Sequence, residues 1–337
     1  MEGVPVKYFV GFASLAFMSL ALTPPSLPGE QSQVQFVADQ PSIASMSGTQ
    51  SSAQQPQSLQ DRIKSAEAGD PIAQNNLGYD YAFGNGIPQS RKDAVKWLTA
   101  AASTGFVPAE INLGILYEKG WAGKVDLAEA ARWLRAAAEQ GDALTECKLG
   151  NIYEFARGVQ QDYTQAAYWY RKAALQGNPS AQNNLGSMYH HGKGLKQDYA
   201  QAMHWYKLAA VQGLAEAQSN VGVMYEDGLG VEKDYGQAAE WYNRAATHGA
   251  IRGQYNLAIL YSSGRGVPLD YVSAYMWFSR AAAGGDSLSK RKLKDLSALM
   301  TPRQKDLALE RLAGGQSASI ANGQLNSPFD SNSATAP

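Results

Sequence analysis

Few residues in this chain have the types and spacing to do chemistry. Ser287 and Lys290 stand three apart, the distance at which a lysine can activate a serine nucleophile for acyl transfer. That chemistry also needs S-D-N and K-T-G elements, and the sequence contains neither. The candidate metal ligands are the four histidines, His190, His191, His204 and His248. No H-E-x-x-H motif or matching carboxylate spacing accompanies them. His190 and His191 are neighbours, and neighbours on a helix point about 100° apart. Cys147 is the one cysteine, so it builds neither a disulfide nor a thiolate cage. Gly-x-Gly recurs at Gly84, Gly192, Gly228 and Gly264, but never as G-x-G-x-x-G behind a strand, so these are turns and not phosphate loops. Lys96-Trp97 and Arg132-Trp133 set cations beside aromatics, as on a stacking platform for single strands. The tryptophans, however, keep to one strict column beside alanines, which is a core pattern. No catalytic set and no cofactor site emerges, and the sequence does not read as an enzyme.

What must position these residues is a frame of 36, written six times. It begins at Ala73, Ala109, Thr145, Ala181, Ala217 and Gly253. Four residues on stand Leu77, Leu113, Leu149, Leu185, Val221 and Leu257, each followed by glycine or, in the last copy, Ala258. Tyrosines at 81, 117, 153, 189, 225 and 261 complete the stripe. Spacing of i, i+4 and i+8 draws one apolar line along a helix. The glycines cost helix propensity, up to about 1 kcal/mol each, so close approach of a neighbouring helix is the expected compensation. A glycine turn follows, and Ser90, Asp126, Asp162, Asp198, Asp234 and Asp270 then open a second helix as N-caps. That helix carries Trp97, Trp133, Trp169, Trp205, Trp241 and Trp277 and stops at a glycine. Each unit is therefore a helix pair whose apolar face only a neighbour can bury, and six such pairs stack into a solenoid. Residues 58–69 and 286–312 read as capping helices.

The pattern A-x-x-x-L-G-x-x-Y, a Gly-x-Gly turn, then D-x-x-x-A-x-x-W-Y-x-x-A-A-x-x-G resembles the Sel1-like repeat, a relative of the tetratricopeptide repeat. The resemblance runs from about residue 58 to 312. It implies an all-α fold: a right-handed α-solenoid of six helix-turn-helix repeats, used as an adaptor or assembly scaffold. Similar exported bacterial chains serve envelope sensor kinases or polysaccharide, secretion and cell-wall machinery. The alternative it implies is a β-lactamase-like or cell-wall-binding activity, but the relatives linked to that use paired cysteines, which this chain lacks. Two copies depart from the pattern. The second has Trp121 in its turn, and the third has Ala156 for the first turn glycine.

Outside the frame, residues 1–22 place Lys7 before an uncharged run from Tyr8 to Leu22. This run reads as a signal peptide, or else as an uncleaved N-terminal anchor, because about 20 apolar residues are needed to span a bilayer. Residues 23–57 are a Gln/Ser/Pro-rich spacer, and 313–337 a polar tail, both expected to be disordered. The expected location is periplasmic or secreted, or inner-membrane-anchored facing the periplasm. With 29 Lys+Arg against 30 Asp+Glu, no field draws nucleic acid, and a membrane is met only through such an anchor.

The partner called for is a protein or peptide. On the first helix, positions −2, +2 and +5 from the frame leucine lie opposite it, and tetratricopeptide folds turn that side toward the concave groove. The expected partner-binding residues are Asn75 and Tyr79; Ile111, Ile115 and Glu118; Asn151 and Glu154; Asn183 and His190; Val223 and Glu226; Tyr255 and Ile259. Trp121 is a secondary candidate. Their carboxylates suit a ligand with some basic residues. The competing reading is an ordinary solvated face.

Overall fold

The computed structural model describes residues 58–321, which contain fifteen helices and no strand. Residues 1–22, the spacer 23–57 and the tail beyond 321 lie outside the described residues. The chain divides into two units, the boundary falling between Asn178 and Pro179. The first unit holds α1 (Leu59–Glu67), α2 (Pro71–Phe83), α3 (Arg91–Ala102), α4 (Val107–Glu118), α5 (Leu127–Glu139), α6 (Ala143–Glu154) and α7 (Tyr163–Leu175). The second holds α8 (Pro179–His191), α9 (Tyr199–Val211), α10 (Ala215–Asp227), α11 (Tyr235–Thr247), α12 (Ile251–Ser263), α13 (Tyr271–Ala283), α14 (Ser287–Leu299) and α15 (Pro302–Ala321). The last helix thus runs past Leu312. Each unit contains three helix pairs, α1 preceding the first pair and α14 and α15 following the last.

The expected N-caps form. Ser90, Asp126, Asp162, Asp198, Asp234 and Asp270 each accept a backbone N–H from the first turn of their helix, satisfying donors that the helix leaves orphaned. Thr301 and Gln304 close a reciprocal capping box on α15. One bond recurs in the turn inside every pair: the cap residue's N–H donates to the tyrosine carbonyl nine residues earlier. The six distances are 2.9 Å for Ser90 to Tyr81, 3.1 Å for Asp126 to Tyr117 and Asp162 to Tyr153, and 3.0 Å for Asp198 to Tyr189, Asp234 to Tyr225 and Asp270 to Tyr261.

The helical glycines are sites of close approach. A Cβ on Gly150 would stand 2.5 Å from the Tyr170 ring, and one on Gly222 equally close to Tyr242. The deepest side chains of the second helices are therefore Leu98, Leu134, Tyr170, Tyr206, Tyr242 and Phe278, each 2% exposed or less. They sit one residue after the tryptophans, which the sequence pattern singled out as core. Trp169 and Trp241 are buried, while Trp97, Trp133, Trp205 and Trp277 are half-buried. A cation covers the outer ring face in several copies: Lys96 over Trp97 at 4.6 Å, Arg132 over Trp133 at 4.2 Å and Arg244 over Trp241 at 4.6 Å.

Buried amides tie consecutive pairs together. Asn112 Nδ2 donates to Asn75 Oδ1 at 2.9 Å, and Asn220 to Asn183 at the same distance. Within the third pair, the Gln176 amide and the Lys172 ammonium hold the wholly buried Glu146 at 2.7 and 2.9 Å. Within the fifth pair His248 meets Gln218 Oε1 through Nδ1 at 2.9 Å. These contacts satisfy polar groups that burial would otherwise penalise.

Candidate functional site

Within each unit the first helices pack on the second helix of their own pair, and α2 and α10 also meet the following first helix, α4 and α12. That geometry changes the expected binding face. Asn75, Ile111, Ile115 and Glu154 are buried in the first unit, and Asn183, His190, Val223, Glu226 and Tyr255 in the second. The rotation from the frame leucine placed them opposite one neighbour but into another. Asn75 and Asn183 accept from the following repeat. Glu154 and Glu226 accept the hydroxyls of Tyr170 and Tyr242, each at 2.8 Å. These two carboxylates are not presented to a basic ligand. Tyr255 packs on Phe278, with ring centroids 5.6 Å apart. His190 lies among Tyr199, Tyr206 and His191, and burial, followed by the His191 charge, lowers its pKa to about 4. The rings of His190 and His191 meet at 4.6 Å, closer than their helical rotation suggested. Among the described residues no group of three His, Cys, Asp or Glu is placed to hold a metal.

Tyr79, Glu118, Asn151, Ile259 and Trp121 keep accessible surface. Four of these belong to the first unit, Tyr79, Glu118 and Asn151 on the first helices and Trp121 on the turn after α4. The Tyr79 and Phe83 rings pack at 4.8 Å, tilted by 45°, and Phe83 meets the Trp121 ring edge-on at 5.4 Å, forming an aromatic shelf whose Phe83 is 38% exposed. Beside it lies a cavity of about 180 Å³ lined by Glu118, Leu134, Lys148, Asn151, Ile152 and Arg157. Arg157 approaches Glu118 at 3.6 Å. Asn151 Oδ1 stands 2.7 Å from the Tyr170 hydroxyl. The turn that carries Arg157 passes through Ala156, a non-glycine residue at φ 55°. That left-handed backbone costs energy for a residue with a Cβ.

The sequence did carry a signal for this cavity, in the comparison of columns. Glu118 and Glu154 occupy one frame position, but the residue sixteen further on is Leu134 for the first and Tyr170 for the second. No hydroxyl therefore covers Glu118 from that position. Lys148 takes the place held by asparagine in the other five copies. Burial lowers its pKa, against the raising influence of Glu118 and Asp142.

Helix pairs stacked in a fixed frame define an α-solenoid, a class of protein that works through an extended surface. Within that class the chain belongs to the Sel1 repeat family, whose model matches residues 71–106, 107–142, 143–178, 179–214, 215–249 and 251–286. Members of this family are in general scaffolds for protein–protein interaction. Among solved structures the chain is similar to c5321, a protective antigen present in uropathogenic Escherichia coli strains and displaying an SLR fold. They share 35% identity and a TM-score of 0.68 over 79% of this chain, which spans only 58% of that relative's length. It is also similar to a Sel1 repeat protein from Oxalobacter formigenes, at 32% identity and a TM-score of 0.65, covering 77% of this chain and 79% of that one. No curated protein matches significantly.

Proposed function

We propose that this chain is an exported scaffold that holds a protein or peptide partner against its first helices and the turns that follow them. Its working place is the envelope, in signalling or in polysaccharide or secretion assembly. The observation that carries this reading is the aromatic shelf of Tyr79, Phe83 and Trp121 beside a charged cavity on successive turns. Accessible aromatics next to fixed polar groups are the composition of binding hot spots. Glu118, Asn151 and, in the second unit, Ile259 extend the contact surface, while the buried residues of those columns hold the helices that present it. Export is supported by the apolar run behind Lys7 and agrees with the E. coli relative being a protective antigen. Among the described residues no helix is long and apolar enough to cross a membrane. Fractionation, followed by chemical crosslinking in intact cells, tests the proposal. It predicts an envelope-associated or secreted chain joined to one dominant protein. A cytoplasmic pool that crosslinks to nothing would contradict it.

A further inference from the structure

We propose that the cavity between the second and third repeats binds a carboxylate of the partner segment, and that the adjoining aromatic shelf takes an apolar side chain next to it. This deepens the scaffold reading and rests on it. The charge of the cavity carries the inference. Its lining brings Lys148 and Arg157 together with a single carboxylate, Glu118, so the site holds one positive charge in excess. No hydrogen bond or ion pair among the described residues engages the Lys148 ammonium. Arg157 touches Glu118 with one nitrogen, at 3.6 Å, which leaves most of a guanidinium's donors for another acceptor.

Comparison between copies shows that this arrangement is local. An asparagine replaces Lys148 in each of the other five repeats, and two of those asparagines close the amide bonds that tie neighbouring first helices. The third repeat forgoes that bond, since Ile111 faces it in the preceding −2 column, and places a cation there instead. The pairing of Glu118 with Arg157 recurs as Glu226 with Arg265, at 3.8 Å. There Tyr242 covers the glutamate, whereas Leu134 at the matching position leaves space beside Glu118. About 180 Å³ is far more than the roughly 10–15 Å³ that one water needs, and it admits a carboxylate with its attached carbons. An entering carboxylate offsets the excess charge and gives the part-buried ammonium a partner, the arrangement in which charge-assisted bonds are strongest. Trp121 of the shelf follows Glu118 of the cavity lining by three residues, roughly 10 Å of chain at most, so one short segment can reach both.

The probe is a panel of fluorescein-labelled hexapeptides, each with Phe, Leu or Ala followed by one of three ends: a free C-terminal carboxylate, a C-terminal amide, or an internal Asp in an amidated peptide. Polarisation with the full chain is expected to show acid-bearing Phe or Leu peptides binding roughly tenfold or more tightly than the C-terminal amides that carry no acid. The free-end and internal-Asp arms show which source of carboxylate fits. Lys148→Asn, which restores the residue of the other repeats and so should fold, combined with Arg157→Gln, is expected to erase that preference without changing the melting temperature or helicity. Trp121→Ala should weaken acid and amide peptides alike. Equal binding of acid and amide peptides by the parent chain overturns the carboxylate site while leaving the scaffold reading intact. A preference that survives the double substitution places the carboxylate elsewhere and overturns it too. If no peptide binds and no partner crosslinks in cells, both fail.

Discussion

Tyr242 donates to Glu226 in a wholly buried setting, and this pair shows how single residues set the surface. A buried acceptor stripped of its donor costs about 1–3 kcal/mol. Tyr242→Phe should lower stability by that amount in chemical denaturation, while Leu98→Met, an apolar exchange of similar size in the same column, should cost less. A neutral Tyr242→Phe would mean the hydroxyl does not hold the carboxylate. Cys147 is the second test at this scale. Burial raises its thiol to about 12, so the thiolate is scarce at neutral pH. The native chain should resist a thiolate-directed alkylating reagent at pH 8 and react fully once unfolded. Rapid labelling of the folded protein would show Cys147 to be accessible.

At the scale of elements, the contact between the helices of a pair depends on the glycine column. Gly150→Ala improves helix propensity by up to about 1 kcal/mol, yet the new Cβ meets the Tyr170 ring at 2.5 Å. Overpacking of this kind costs about 1–3 kcal/mol, so the substitution should destabilise, and a raised melting temperature would refute the close approach. Helix α8 carries the pH dependence. Its His190 is a base whose pKa falls from 6.5 to about 4 on folding, with His191, Tyr199, Tyr206 and the Asp227 charge around it. Between these values the unfolded chain binds the extra proton, so stability is lost as pH falls from about 6.5 toward 4. Unfolding titrations should show that slope, and His190→Gln should flatten it. An unchanged slope in the variant would assign it to other groups.

Much of this level was legible in the sequence, because local rules write it. The 36-residue frame, the Asp and Ser caps and the small residues of the close contacts all follow from helix periodicity and capping chemistry. The face left for a partner was not legible in the same way. Rotation about one helix axis locates what lies opposite Leu77 or Leu149, but it knows nothing of the groups that close over that side, such as Asn112 on Asn75 and Tyr170 on Glu154. The tryptophan column misled for a related reason. Trp97 and Trp133 are conspicuous by type, whereas the residue after each carries the deeper contact. What could have been found earlier lay in paired columns: glutamate with tyrosine sixteen residues on, broken at Glu118 and Leu134.

At the scale of the whole molecule, the charges nearly cancel, at −1 overall, and the family's repeats serve interaction, so recognition has to come from places where the copies differ. In the first unit those places are Trp121, Lys148 and Ala156. The central claim is that a partner docks on the turns bearing them. Site-resolved photo-crosslinking in living cells tests it most directly, with a photoreactive amino acid introduced at Trp121 and, as control, at Leu175, which is 72% exposed at the end of α7. The account predicts a discrete crosslinked partner from position 121 and none from 175. Adducts of equal yield from both positions, or an adduct from 175 alone, would contradict it.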